Sequence, residues 1–505
     1  MDVNEFRKRG KEIIDLMADY YENINTYPPL SAVERGYLSK LLPTEAPQKP
    51  ESFEDLIKDF NGKILPGVTH WQSGNFFAWY SSTASFPSLL GDMLSGMINC
   101  VGFNWICSPA CTELETIVLD WLAKAFGIDD GFLATRGDGS KGKGGGVIQG
   151  SASEAHIVVM LAAREKMLNR LREQGMSEEE VASASTRLIA YGSDQTHSSG
   201  QKASMVIGCK FFSIPSNEDM ILTKENLEKQ IEKDRKEGLI PFFVCGTFGT
   251  TNTCAIDDFV GIGEVAKKED LWFHVDAAYA GCALVCPEYR HLIKGTEISD
   301  SFNVNPNKFL LVNFDFSALW VKNSRYLRDA LSCDREYYRN DASDSGDVKD
   351  YRDWQLPLGR RFRSLKLWFV MRLYGIEGLQ QHIQRAINLG NWFEKKLLED
   401  GRFEIVTPVA FGLVVFRIKE SALDLGNETT DPKAIFEHQN DINDKLLKVM
   451  LSDGRVFLSG SKVKGKAVVR AVFGGTNVNQ ETAETLLNVT LESTNRLLGS
   501  SDGQN

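Results

Sequence analysis

The chain has 505 residues, too many for one compact core, so two or three domains are expected. Its 68 acidic and 57 basic side chains leave a net charge of −11, which argues against nonspecific nucleic-acid binding and against an anionic membrane surface as partner. No stretch approaches the length of a membrane span, and the charged start MDVNEFRKRGKEIIDL has no signal-peptide core, so neither a span nor a leader is expected.

Residues 1–25 carry Phe6, Ile13, Ile14, Met17, Tyr20 and Tyr21 at helical spacing and predict an amphipathic helix. Pro28, Pro29, Pro43, Pro47 and Pro50 then break the chain into an extended arm, followed by a short helix with Ser52 as its N-cap. An arm of this kind packs on something else, and a partner subunit is expected. Residues 70–86, HWQSGNFFAWYSSTASF, read either as a loop packed into the core or as an aromatic wall of a pocket. From about residue 87, helices and strands alternate. SPACTELETIVLDWLAKAFGI predicts a helix with Ser108 and Thr112 near its start and Gly127 after its end. Residues 144–153 form a Gly-rich turn running into a helix. Small residues there admit an anion to a helix N-terminus, and close backbone packing explains them equally well. TRLIAYGSDQTHSS, LIPFFVCGTFGTTNT, DLWFHVDAAYAG and KFLLVNFDFSALWVKN continue an α/β pattern with a mostly parallel sheet. Residues 334–353 are polar and charged, either a lid or a disordered insert. Helix returns from Trp354, and a smaller α+β domain follows from about 403. GNETTD near 426 reads as loop, the acidic piece 419–443 as solvated surface, and 499–505 as disordered.

Nine cysteines are scattered along the chain and read as reduced, buried thiols of a cytoplasmic protein. Cys107/Cys111 and Cys282/Cys286 lack a C-x-x-C or a histidine pair, so no metal site is expected. The chemistry concentrates elsewhere. Leu271–Val275 predicts a buried strand, which places Asp276 at the strand end where open α/β sheets bind ligands. Lys308 follows in a small-residue turn. An amine and a carboxylate so placed suit pyridoxal 5′-phosphate, whose aldehyde needs the first and whose ring nitrogen needs the second. A helix-capping aspartate and an unrelated surface lysine are the plainer alternative. His197, Thr250 and Thr251 also stand at strand exits, so four exits carry polar groups suited to that cofactor.

GVIQGSASEA, SDQTHSS, HVDAAYAG, NPNKFLLVNFD and PLGRRFRSLK, together and in this order, resemble the group II pyridoxal-phosphate-dependent amino-acid decarboxylases, and among them the aromatic-L-amino-acid decarboxylases. The likeness runs nearly end to end and weakens after about residue 400. It implies a fold-type-I PLP-dependent transferase fold. An N-terminal helical arm (1–86), a large cofactor domain (87–365) with a mobile catalytic loop (334–353) and a small α+β domain (366–505) are expected. A homodimer with active sites at its interface is implied as well.

Carried over by motif, Lys308 binds the cofactor aldehyde and Asp276 pairs with the ring nitrogen. Ala152 and Ser153 bind the phosphate, with Asn305 nearby. Thr251 and Ala278 contact the cofactor, and His197 stacks on its ring. Tyr337 matches the tyrosine of the catalytic loop lent by the other subunit, and with His197 it forms the expected proton-donor assembly. Trp79, Tyr80, Ser82 and Gly359 fall where substrate is contacted. Asn307 and Phe309 stand where these relatives usually have histidine and tryptophan. The implied activity is decarboxylation of aromatic L-amino acids (tryptophan, phenylalanine, tyrosine or 3,4-dihydroxyphenylalanine, DOPA) to arylalkylamines. Tyr337 favours this over an aromatic acetaldehyde synthase, and Gly359 favours a roomy pocket over that of a histidine decarboxylase. A glutamate decarboxylase and a silent dimeric binding protein are further alternatives. Intact Lys308, Asp276, His197 and Tyr337 argue against silence.

Overall fold

The computed structural model describes all residues except 334, 336, 337, 339, 340, 345–347, 424–430 and 500–505. Two compact units result: Ser82–Arg385, and Met1–Ser81 together with Ala386–Asn505. The N-terminal arm and the C-terminal segment, expected as separate pieces, thus cluster as one.

In the larger unit, seven strands form one sheet: β1 (Gly145–Gln149), β2 (Leu188–Ser193), β3 (Lys210–Ile214), β4 (Ile240–Thr247), β5 (Trp272–Asp276), β6 (Ser301–Val304) and β7 (Ser317–Val321). Their order is β1-β7-β6-β5-β4-β2-β3. β7 is antiparallel to both its neighbours, while β6, β5, β4, β2 and β3 run parallel. β4, IPFFVCGT, is an almost unbroken buried run, as expected of a strand covered on both faces. One covering helix, Ala152–Glu173, lays Ala155, Val158, Val159, Ala162 and Ala163 into the core, where each buried valine contributes roughly 1.5–3 kcal/mol. Ser108 Oγ caps the helix Pro109–Phe126, and Gly127 ends it at φ 69°.

The Gly-rich segment differs from expectation. Only Gly150 and Ser151 form the turn, because Gly145–Gln149 pairs with Ser317–Val321 as a strand. Close packing explains part of its glycine content. A Cβ on Gly146 would lie 2.8 Å from Trp320 Nε1 and 2.9 Å from Leu119. Within 334–353 the described residues include a helical turn, Asp341–Asp344, and a 3-10 turn, Tyr351–Trp354, with Tyr351 and Trp354 buried. Most of the GNETTD stretch and residues 500–505 lie outside the described residues.

In the second unit, Asp2 caps the helix Val3–Glu22 and Ser52 caps Phe53–Asp59. β8 (Phe403–Ile405), β9 (Leu413–Ile418), β10 (Ser459–Val463) and β11 (Lys466–Val472) form an antiparallel sheet in the order β10-β11-β9-β8. Phe393, Phe416, Leu446, Val469 and Leu486 share its core. The aromatic stretch is packed into the core in part. Phe76 and Phe77 are fully buried, whereas Trp71 and Trp79 are 38% and 47% exposed, with their rings stacked 5.3 Å apart.

All nine cysteines are free; five are buried, two intermediate, and Cys107 and Cys333 are exposed, contrary to the expectation of burial. No described helix is long and apolar enough to cross a membrane, and among the described residues no group of three His, Cys, Asp or Glu could hold a metal ion.

Candidate active site

The parallel strands deliver their carboxyl ends to one edge of the sheet. Asp276 is the last residue of β5, in register with Thr247 of β4 and Asn303 of β6. It is 4% exposed. Its Oδ1 accepts the Ala278 N–H at 3.0 Å, and its Oδ2 lies 3.8 Å from His156 Nε2. Burial pushes this carboxyl up, but the neighbouring basic side chains His156, His274, Lys308 and His197 outweigh that and hold it below the usual carboxylate range.

β6 exits through Asn305 into a short helix, Pro306–Phe309, that carries Lys308. The Lys308 N–H donates to the Asn305 carbonyl at 2.8 Å, and the Asn305 N–H donates to the Ala278 carbonyl at 3.0 Å. The turns bearing Asp276 and Lys308 are therefore stitched together. Burial lowers the Lys308 ammonium below its ordinary value, against the pull of Asp276. Phe309 is fully buried and stacks on Tyr279 with centroids 4.7 Å apart and an 11° tilt; His382 meets it edge-on. Asn307 is also buried, and its carbonyl accepts the Thr83 N–H at 2.7 Å. Both unusual residues beside the lysine are thus packed into the fold.

His197 is the N-cap of the helix Ser198–Ile207, four residues beyond the end of β2. Its Nδ1 accepts the Ser199 N–H at 3.1 Å. A backbone N–H can only donate, so the neutral ring carries its proton on Nε2. Burial lowers the His197 pKa, with Asp276 opposing.

Ala152 and Ser153 open the 22-residue helix after β1. Ser151 Oγ accepts the Glu154 N–H, and the Glu154 carboxylate accepts the Gly150 N–H at 2.8 Å. The first helical amides, those of Ala152 and Ser153, have no carbonyl one turn back, and the helix dipole favours an anion at this end. Thr250 bonds to Thr253 hydroxyl to hydroxyl at 2.9 Å, and Thr251 is half-buried beside them.

These residues fit pyridoxal phosphate. A lysine held below its usual basicity, a carboxylate held ionised and a helix N-terminus converge on one sheet edge. Two buried polar atoms at strand ends, Thr247 Oγ1 on β4 and Gln149 Oε1 on β1, have no internal hydrogen-bond partner. Sequence reading missed both, and also His156, whose signal was a lone histidine one helical turn after Ala152.

Of the expected substrate residues, Ser82 and Gly359 belong to the larger unit. A Cβ on Gly359 would meet only Val101 Cγ1, at 3.5 Å. Trp79 (φ 52°) and Tyr80 belong to the second unit, where Arg470 lies 5.5 Å over the Tyr80 ring. Tyr337 lies outside the described residues.

Residues 35–419 match the family model described as the pyridoxal-dependent decarboxylase conserved domain. The chain is 47% identical to an aromatic-L-amino-acid decarboxylase of Rattus norvegicus over 93% of each sequence. It is 46% identical to a phenylacetaldehyde synthase of Arabidopsis thaliana over 94% of this chain and 92% of that one. Among solved structures, Oryza sativa TDC with PLP and tryptamine superposes with a TM-score of 0.92 at 36% identity, covering 99% of both chains. On this similarity and this site, the chain belongs to the pyridoxal-dependent decarboxylase family.

Proposed function

We propose that this chain decarboxylates aromatic L-amino acids, releasing CO2 and the arylalkylamine. The observation that carries the reading is Asp276, held ionised, beside Lys308, held below its usual basicity, at a sheet edge that also offers a helix N-terminus. The likeness to the rat enzyme and to the tryptamine-bound rice protein supports the aromatic substrate class.

Lys308 would hold the cofactor aldehyde and Asp276 the ring nitrogen. Ala152 and Ser153, with Asn305, would hold the phosphate, and Thr251, Ala278 and His197 the rest of the cofactor. When bound, pyridoxal phosphate supplies a cationic ring that takes up the electron pair left at Cα as the carboxylate departs. Asp276 stays negative and so keeps the ring-nitrogen proton in place. Lys308 reaches its neutral, nucleophilic form at lower pH than an exposed lysine would. His197 presents an Nε2–H, and Tyr337, on a loop lent by a neighbouring subunit, completes the donor assembly that returns a proton to Cα. Trp79, Tyr80, Ser82 and Gly359 would line the substrate end.

The assembly proposed is a homodimer. The helix Phe86–Ile98 supports it by exposing Phe86, Leu90, Met93, Leu94, Met97 and Ile98 along one short helix, the kind of apolar surface that interaction sites present. Nine unlinked cysteines support a cytoplasmic location. The arm 1–86, the cofactor domain 87–365 and the small domain 366–505 would be its functional segments.

Product analysis tests the reading. Purified protein with pyridoxal phosphate is given tryptophan, phenylalanine, tyrosine, DOPA and histidine separately, and CO2, amine, aldehyde and peroxide are followed. Amine equal to CO2, with an aromatic optimum, is expected; a histidine optimum would overturn it. The aldehyde-synthase reading stays in view because identity to the Arabidopsis synthase nearly equals that to the rat decarboxylase. Tyr337 argues for the amine. Tyr337→Phe is expected to divert product toward aldehyde, ammonia and peroxide, and amine as sole product from that variant would remove Tyr337 from the branch point.

A further inference from the structure

Asp276 has a neighbour that this reading leaves unused. His156 is fully buried on the helix Ala152–Glu173, one turn after Ala152. Its Nδ1 lies 2.9 Å from the Ala152 carbonyl oxygen. A carbonyl can only accept, so Nδ1 carries a proton. That bond fixes the rotation of the ring and turns Nε2 toward Asp276 Oδ2, 3.8 Å away. His274 packs its ring against His156 at 78° with centroids 4.9 Å apart, and Cys245 Sγ lies 3.7 Å from Nε2.

We propose that His156 is a positioning residue for Asp276. It ties the carboxylate at the ring-nitrogen end of the site to the helix turn at the phosphate end. The inference rests on the reading of Asp276 as partner of the cofactor's ring nitrogen. Ala278 restrains Oδ1 alone. With Nδ1–H given to the Ala152 carbonyl, the ring restrains Oδ2 when Nε2 carries a second proton, as an ion pair at 3.8 Å and not a hydrogen bond, from an element that also offers the phosphate its first amides. The ionisable groups facing His156 are Asp276 and His274 from β5 and Cys245 from β4. Burial raises the Cys245 thiol well above its ordinary value and lowers His274 to about 3, so both are neutral near pH 7. Asp276 is the charge in that set, and His197 and Lys308 also act on it.

A double-mutant cycle on cofactor affinity tests this. The full-length chain, stripped of cofactor, is titrated with pyridoxal phosphate by quenching of protein fluorescence, for wild type, His156→Leu, Asp276→Asn and the double variant. Acting through the carboxylate, His156→Leu should weaken binding at least about fivefold when Asp276 is present and less than about twofold in the D276N background. His156→Gln, which keeps an amide N–H near the Nε2 position, should recover part of the affinity. Equal losses in both backgrounds would mean that His156 only fills space, and would overturn the inference alone. A D276N chain that binds as tightly as wild type would overturn the reading of Asp276 as well. If H156L yields no folded protein, H156Q runs the same cycle, and coupling below about twofold there counts against the proposal.

Discussion

His197 shows how one backbone bond selects a chemical state. Because Ser199 N–H occupies Nδ1, the competent ring is neutral with its proton on Nε2. Burial lowers its pKa from the ordinary 6.5. The neutral form therefore persists below pH 6.5, and kcat/KM should hold level through that pH and fall only further into acid. In His197→Asn, kcat should drop by about 10²–10⁴-fold and that limb should vanish. A wild-type acid limb centred above 6.5 would contradict the assignment. Gly359 bears on selectivity. Its missing Cβ would make only an ordinary contact with Val101, so Gly359→Ser should fold unchanged. It should shift kcat/KM away from tryptophan relative to histidine by about 1–3 kcal/mol, or 5- to 150-fold. A loss of melting temperature would place the effect in the fold and not in the pocket. Asp276, Lys308 and His197 were legible in the sequence because each follows a strand-like run, and strand ends are where such sheets bind ligands. His156 was not, because inside an apolar helix nothing local distinguishes a histidine that faces a carboxylate from one that fills space.

Among the elements, the helix Ala152–Glu173 does the most, carrying at its start the amides proposed for the phosphate and His156 one turn later. Its start depends on Ser151. Ser151→Ala should cost about 1 kcal/mol of stability through the lost cap. It should also weaken pyridoxal phosphate binding more than that of pyridoxal, which has no phosphate to feel the first turn. Equal weakening of both ligands would detach this terminus from the phosphate. Strands differed in legibility for a physical reason. β4 is a long apolar run and declares itself. β6 is four residues, SFNV, and β10 is SGSKV with partly exposed positions; neither has the apolar content that marks a buried strand. β1 is half glycine-rich turn in composition, yet its pairing with β7 makes it a strand.

At the scale of the whole molecule, the alternation of strand and helix made the central sheet legible, and the arm and the small α+β domain were expected, but their joining in one unit was not foreseen. It joins residues hundreds of positions apart, as in the bond from Phe77 N–H to the Phe457 carbonyl at 2.8 Å, and such a contact leaves no local periodicity. Stability toward acid is also a property of the whole. His274 and His382 are buried, and their pKa values fall to about 3, first through desolvation and then through a neighbouring basic side chain, His156 for one and Arg385 for the other. The unfolded chain protonates both near 6.5, whereas the folded chain resists down to about 3. Between those limits the unfolded state binds more protons, so the stability these two contribute is full above 6.5 and is lost as pH falls. These two histidines therefore pull the urea midpoint down from pH 6.5 toward 4, against the buried Asp257 carboxyl, raised to about 7, which acts with the opposite sign in that window. His382 can be replaced with little change of shape, since its ring meets Phe309 edge-on and its Nε2 has no partner. His382→Phe should lose the Arg385 bond at every pH but escape the protonation penalty. Relative to wild type, the variant should gain on the order of 2 kcal/mol between pH 6.5 and 5, at about 1.4 kcal/mol per pH unit. Parallel curves of unfolding free energy against pH for the two proteins would show that His382 takes up its proton in the folded state as readily as in the unfolded one.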